Sequence, residues 1–331
     1  SRMPQPQNIL VIRRDNIGDL VCTTPLLSAL RILFPQAWIG VLANSYNAPA
    51  LDGNPDISEV FAYRKLKHLE EGDSAVAALA GRASMLWGLR RRSLDLVIIA
   101  AGDQDIRGER LAKLLSPARI VRSSAPTPGQ HEVERTLTSA RALGYSGAAP
   151  ALRVSPNAAA TSRVRSLIGS SGLKRPLIGV HISARREAQR WPAERFAHFI
   201  KAIGKVHDAS TLLFWSPGAE DHPQHPGDDG KAATIMTLVG NNRPPLPCPT
   251  SDLESLIAGL AECDAIVCSD GGAMHLAAGL GKPIACFFGD SPVDRWRPWG
   301  VPHIVLQPPT HRVEDVSVDE AVHATTALLQ R

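Results

Sequence analysis

The run from 264 to 292, DAIVCSDGGAMHLAAGLGKPIACFFGDSP, does most to limit what this chain can fold into. Its apolar residues 265–268 read as a buried strand, which Ser269, Asp270, Gly271 and Gly272 bring to an end. A short helix of small residues follows, with Ser269 or Asp270 as its cap and Gly281-Lys282-Pro283 as its stop. Residues 284–288 make the next strand. Free N–H groups at a helix start attract anions, and ligands of open α/β sheets sit beyond the carboxyl ends of the strands. The unit therefore reads as a nucleotide or sugar-phosphate site, although the same spacing also serves a plain strand-helix-strand repeat whose glycines only make tight turns.

That alternation recurs along the chain. In the first half, residues 9–12, 38–42 and 94–100 read as strands and 25–34 as a helix, which predicts a mainly parallel sheet. Thr24 reads as an N-cap with Pro25 at the first helical position, and Leu26, Leu27, Leu30 and Leu33 mark the buried face. The second half restarts with a strand at 177–181, a helix over 194–203 and a strand at 211–215. Residues 216–249 hold seven prolines, and their apolar run 235–239 predicts one more strand. Residues 318–330 read as a helix packing across the back. At 331 residues the chain is about twice the usual domain length. The Gly-, Ala-, Ser- and Pro-rich stretch 145–161 puts a domain boundary near Pro156. The expected architecture is α/β, two doubly wound domains in tandem with a cleft between them.

Composition narrows the function classes. Hydrophobic residues make up 44% and charged residues 21%, and no apolar run approaches the roughly 20 residues of a membrane span. The segment SRMPQPQ reads as lacking the apolar core of a secretory signal. Five cysteines, Cys22, Cys248, Cys263, Cys268 and Cys286, with no CxxC pair, predict a reduced, cytoplasmic chain and no zinc site of familiar spacing. Residues 1–165 carry 21 Lys and Arg against 14 Asp and Glu, while residues 166–331 carry 15 against 18. The basic first half suits an anionic partner or an ordinary solvated surface. With 5% aromatic residues and no nucleic-acid motif, no nucleic-acid partner is expected. The first strand-helix turn, RRDNIGDLVCTTP, lacks the GxGxxG of a dinucleotide fold, and there is no P-loop.

Two further turns carry candidate chemistry. After the first strand come Arg13, Arg14, Asp15, Asn16, Ile17, Gly18 and Asp19. Gly18 permits an unusual backbone angle, and Asp19 serves either as a helix cap or as a general base that removes a proton from an attacking hydroxyl. After strand 177–181 comes HISARREAQRWP, whose Arg185, Arg186 and Arg190 suit a diphosphate, arginine being able to grip phosphate oxygens bidentately. A solvated loop anchored by Trp191 is the plainer alternative.

Taken in order, IRRDNIGDLVCTTPLLSALR, HISARREAQRWPAERF and SDGGAMHLAAGLGKPIACFFGDSPVDRWRPWG resemble glycosyltransferase family 9, the lipopolysaccharide heptosyltransferases, across nearly the whole chain. The resemblance implies a GT-B fold, two Rossmann-like domains facing a central cleft. It assigns an acceptor domain to residues 1–156, a nucleotide-sugar domain to 157–315, and to 316–331 a last helix crossing back towards the first domain. It implies inverting, metal-independent transfer of a heptose from ADP-heptose to a lipopolysaccharide core or related glycan, without a cofactor beyond the donor. Asp19 falls on the family's base. Ser183, Arg185, Gln189, Arg190, Asp270, Gly271, Gly272, Met274 and His275 fall on its donor side, and Arg13, Arg14 and Gly18 on its acceptor side, with Arg64, Lys65 and Lys67 as further steering charges. The implied acceptor is an anionic, lipid-linked or core oligosaccharide, with peripheral contact at the inner membrane. Gln189 stands where the family often has lysine, which leaves Arg190, or Arg185 and Arg186, as the candidates for the charge that offsets a departing diphosphate. The alternatives are a relative using another nucleotide sugar or a protein acceptor, and a non-catalytic sugar-nucleotide-binding subunit.

Overall fold

The computed structural model describes residues 4–63, 74–222 and 226–331. Arg64, Lys65 and Lys67 lie outside the described residues. The chain divides into two compact units, Ser1–Arg153 and Val154–Arg331, a division just ahead of Pro156.

The N-terminal unit runs β1 (Asn8–Ile12), α1 (Ile17–Val21), α2 (Thr24–Leu33), β2 (Trp38–Asn44), β3 (Glu59–Tyr63), α3 (Ala75–Arg91), β4 (Leu96–Ile99), α4 (Ile106–Leu114), β5 (Arg119–Arg122) and α5 (Glu132–Ala142). Its sheet is parallel throughout, in the order β3-β2-β1-β4-β5. Side chains alternate across a strand, and the core follows that period. Ile9 and Val11 of β1 join the α2 and α5 side with Leu26, Leu30 and Leu137. Leu10 and Ile12 join the opposite side with Leu89 of α3 and Ala112 of α4. Both faces of the sheet are covered at its centre, so β1 after Asn8 and all of β4 are apolar, while the edge strand β5 begins and ends in exposed arginines.

The C-terminal unit runs α6 (Ala158–Ser171), β6 (Leu177–His181), α7 (Ala193–His207), β7 (Ser210–Trp215), α8 (Asp229–Val239), β8 (Leu246–Pro249), α9 (Leu253–Ala261), β9 (Ala265–Ser269), α10 (Gly272–Gly279), β10 (Ile284–Phe287), α11 (Val293–Trp296), β11 (His303–Leu306) and α12 (Val318–Leu329). Its sheet is also parallel, ordered β11-β10-β9-β6-β7-β8. The largest core cluster gathers Trp191, Phe196, Phe199 and Phe287, and α12 joins it through Ala321, Ala324 and Leu328.

Three local expectations need correction. Residues 235–239 are helical, the end of α8. Ala232, Ile235 and Val239 are its buried positions, spaced three and four apart, which is a helix period that a five-residue window hides. Helix α2 starts at Thr24 with Thr23 as its N-cap, one residue earlier than expected, and the Thr24 hydroxyl donates to the Val21 carbonyl at 2.7 Å. Gly18 sits inside α1 and is not among the residues with positive φ, so it is not the strained position foreseen.

Candidate active site

In the N-terminal unit, the carboxyl end of β1 leads into a buried knot of charges. Arg13, only 2% exposed, donates from Nε to Asp15 Oδ1 at 2.8 Å and lies 3.1 Å through Nη2 from both Asp19 Oδ1 and Glu132 Oε1. Its Nη1 reaches the Ala100 carbonyl, just beyond β4, at 3.4 Å. Glu132 opens α5, is fully buried, and is gripped by Arg135 through two hydrogen bonds, one of them Nε to Oε2 at 3.0 Å. Arg135 in turn donates to the carbonyls of Ala101 and Ser124, each at 3.1 Å. Burial by itself would lower the Arg13 pKa, but the carboxylates of Asp15, Asp19 and Glu132 overcome it and keep the guanidinium charged.

Asp19 takes the first of its two sequence readings, a place in the helix start. As the third residue of α1 it accepts the Asn16 backbone N–H on Oδ2 at 3.1 Å, which closes the helix start. Burial, and next the nearby Asp15, raise its pKa to about 6, against the opposing pull of Arg13. A carboxylate in that range is poised to accept a proton near neutral pH. Arg13, expected at the acceptor surface, is instead held inside this knot, because three carboxylates claim it. Its neighbour Arg14 points elsewhere, 4.0 Å from Asp105 and partly exposed, with its pKa lowered chiefly by burial.

In the C-terminal unit, α10 begins at Gly272 with Gly271 as its N-cap, and neither Ser269 nor Asp270 makes the expected cap. Ser269 donates its hydroxyl to the Gln189 backbone carbonyl at 2.6 Å, so the first N–H groups of α10 are left without a side-chain cap. Asp270 has its pKa raised by burial, with Ser291 and Arg186 opposing the shift, and its Oδ1 is 4.0 Å from His275 Nε2. The buried His275 ring packs edge-on to Trp296. Met274 is fully buried. Gly289, at the end of the same run, lets the loop after β6 come close: a Cβ there would lie 2.4 Å from the Ala188 carbonyl oxygen.

That loop uses its charged and polar residues unevenly. Gln189 is buried and committed to the protein itself. Its amide donates to Asp290 at 3.2 Å and Ser291 at 2.9 Å, and its carbonyl accepts the Gly289 N–H at 2.8 Å. Arg190 folds back onto its own loop, donating to the Ala184 and Arg185 carbonyls at 3.1 and 3.0 Å. Arg185 is exposed. Arg186 is the guanidinium on the Asp270 side, bonded to Ser291 at 2.8 Å and paired with Asp290 at 2.9 Å. Ser183 accepts the Ser216 N–H on its hydroxyl at 2.9 Å, which ties the ends of β6 and β7 together.

Sequence reasoning missed Glu132 and Arg135, and also Asp290 and Ser291 as partners of Gln189. The clue to the first pair was present: Glu132 and Arg135 lie three apart on a helix whose other inward positions are apolar or small. Among the described residues, no group of three or more His, Cys, Asp or Glu side chains is arranged to hold a metal ion. No helix among them is long and apolar enough to cross a membrane.

Two parallel α/β units in tandem, with polar turns at the carboxyl ends of β1, β6 and β9, are the two Rossmann-like domains of a GT-B fold. The chain belongs to glycosyltransferase family 9, the heptosyltransferases, whose family model matches residues 100–321. It is 29% identical over 307 residues to lipopolysaccharide heptosyltransferase 2 of Salmonella typhimurium, covering 86% of this chain and 84% of that one. It is 24% identical over 304 residues to lipopolysaccharide heptosyltransferase 3 of Escherichia coli, covering 85% and 82%. Among solved structures, a family 9 glycosyltransferase from Veillonella parvula superposes with a TM-score of 0.86 at 20% identity, covering 100% of this chain and 99% of that one. An Escherichia coli heptosyltransferase solved with ADP superposes with a TM-score of 0.75 at 17% identity, covering 97% and 99%.

Proposed function

We propose that the protein transfers a heptose from ADP-heptose to a sugar hydroxyl of a lipopolysaccharide core acceptor, with inversion, in one displacement. The observation that carries this reading is Asp19, a buried carboxylate at the carboxyl end of β1 whose pKa is raised to about 6. Asp19 takes the proton of the acceptor hydroxyl as its oxygen attacks the anomeric carbon. The bond from that carbon to the diphosphate oxygen breaks, and ADP leaves with the electron pair. The N-terminal unit holds the acceptor in this reading, with Arg14 and Gly18 near its binding side, and the C-terminal unit holds the donor.

The uncapped N–H groups at Gly271 and Gly272 support a site for the diphosphate or the sugar hydroxyls, with Ser183 and His275 bordering it. Asp270 repels phosphate, so its place is with hydroxyls of the sugar. Arg186 takes over the work of the lysine that Gln189 replaces, because Arg190 is bonded to its own loop while Arg186 faces Asp270 and Ser291. The transfer is metal-independent in this reading, since arginine and helix amides supply the positive charge.

Contact with an anionic membrane on its cytoplasmic side has support in α3. Val76, Leu79 and Trp87 are 77%, 48% and 63% exposed and fall on one stripe of that helix, which ends in Arg90 and Arg91. The reading is tested by calorimetry with ADP, UDP and GDP together with an assay for ADP release. Adenine-selective binding and ADP release that depends on a heptose-lacking core acceptor are the expected results. Binding of UDP or GDP in preference, or no release with any core acceptor, overturns it.

A further inference from the structure

Glu132 belongs to no part of the mechanism above, yet it is fully buried and stands 3.1 Å from the same Arg13 nitrogen that contacts Asp19. A carboxylate is removed from water at a high cost unless strongly paired, and Glu132 has two arginines holding it. The groups facing Asp19 are Arg13 and Asp15 from the turn after β1, the Asn16 backbone N–H, and Glu132 from α5. Only Arg13 among them carries positive charge, and it is divided among three carboxylates. An Arg13 given wholly to Asp19 would form a strong pair, and such a pair makes a poor proton acceptor.

We propose that Glu132 is a positioning residue for the base: by drawing on Arg13 Nη2 it holds the guanidinium in place while preventing it from pairing fully with Asp19, and so keeps Asp19 able to take a proton. This rests on the reading of Asp19 as the base. Two effects run in the same direction when the Glu132 charge is removed. Its own repulsion of Asp19 disappears, and Arg13 is freed to pair more strongly with Asp19. Both favour the charged carboxylate, so the acidic limb of the kcat/KM profile moves to lower pH, and the plateau falls because the base is weaker.

The test is the pH dependence of kcat/KM for transfer by the full chain and its Glu132→Gln, Glu132→Asp and Asp19→Asn variants, with thermal melting alongside. Glu132→Gln should move the limb down by about one pH unit. Glu132→Asp, whose shorter side chain withdraws from Arg13, should move it less in the same direction, and this variant carries the test alone if the glutamine variant does not fold. A lowered rate with an unmoved limb in the folded variants overturns the proposal and leaves Glu132 a structural residue. Transfer that survives Asp19→Asn overturns the reading of the base itself, whatever Glu132 does.

Discussion

The turn after β1 and the turn after β9 both lie at the carboxyl ends of inner strands of parallel sheets, yet they handle charge in opposite ways. In the N-terminal unit the charges are buried and set against one another: Arg13 with Asp15, Asp19 and Glu132, and Glu132 with Arg135. In the C-terminal unit the buried partners are neutral, Gln189, Ser269 and Ser291, and the arginine beside them is half exposed. The contrast suits the two proposed tasks. A base has to be tuned, and tuning takes a dry, fixed set of neighbours. A site for a diphosphate gains from amides that do not move and a cation that can reach.

The contrast breaks first at Asp19. Its replacement by alanine should lower kcat for transfer by about 10²- to 10⁴-fold, the usual contribution of a general base, while calorimetry shows ADP binding unchanged. Equal losses in both would mean that the first turn also holds the donor.

On the other side, Arg186→Ala should lower kcat/KM for the donor by about ten- to hundredfold, the range for a hydrogen bond to a charged group. Arg190→Ala, which loses only bonds to its own loop, should cost about tenfold less than that in the same assay. The reverse order would return the role to Arg190 and leave Arg186 to its pair with Asp290. The smallest effect is expected outside both turns. Trp87→Ser should weaken sedimentation with anionic vesicles by a few-fold, roughly the worth of one exposed aromatic, with no change in transfer to a soluble acceptor.

Much of this was readable in the chain beforehand. The apolar runs marked the inner strands β1, β2, β4, β6, β7, β9 and β10, which are covered on two faces and leave little polar alternation to confuse them, while the more polar or more exposed edge strands β3, β5, β8 and β11 were not foreseen. Where a helix period was sampled too briefly, as at residues 235–239, a strand was expected and α8 is found. The fate of neighbouring arginines was not readable. Arg13 and Arg14 are adjacent and identical in type, but side chains at the end of a strand point in opposite directions, so one enters the knot and the other leaves it. Glu132 was hidden for a different reason: its partner lies 119 residues earlier, and only the fold brings α5 back to β1. Gln189 looked like a gap in the donor site, and its hydrogen bonds to Gly289, Asp290 and Ser291 make it a brace that joins the loop to the run at 264–292.

In the proposed mechanism a single tuned carboxylate, Asp19 in the N-terminal unit, governs transfer. Its direct measurement is kcat/KM for transfer across pH in the unmodified protein. Asp19 must be charged to act, so the rate should fall as pH drops through its pKa, with the bend at about pH 6. A profile that stays flat through that region, or bends only near the ordinary aspartate value of about 3.9, would contradict it.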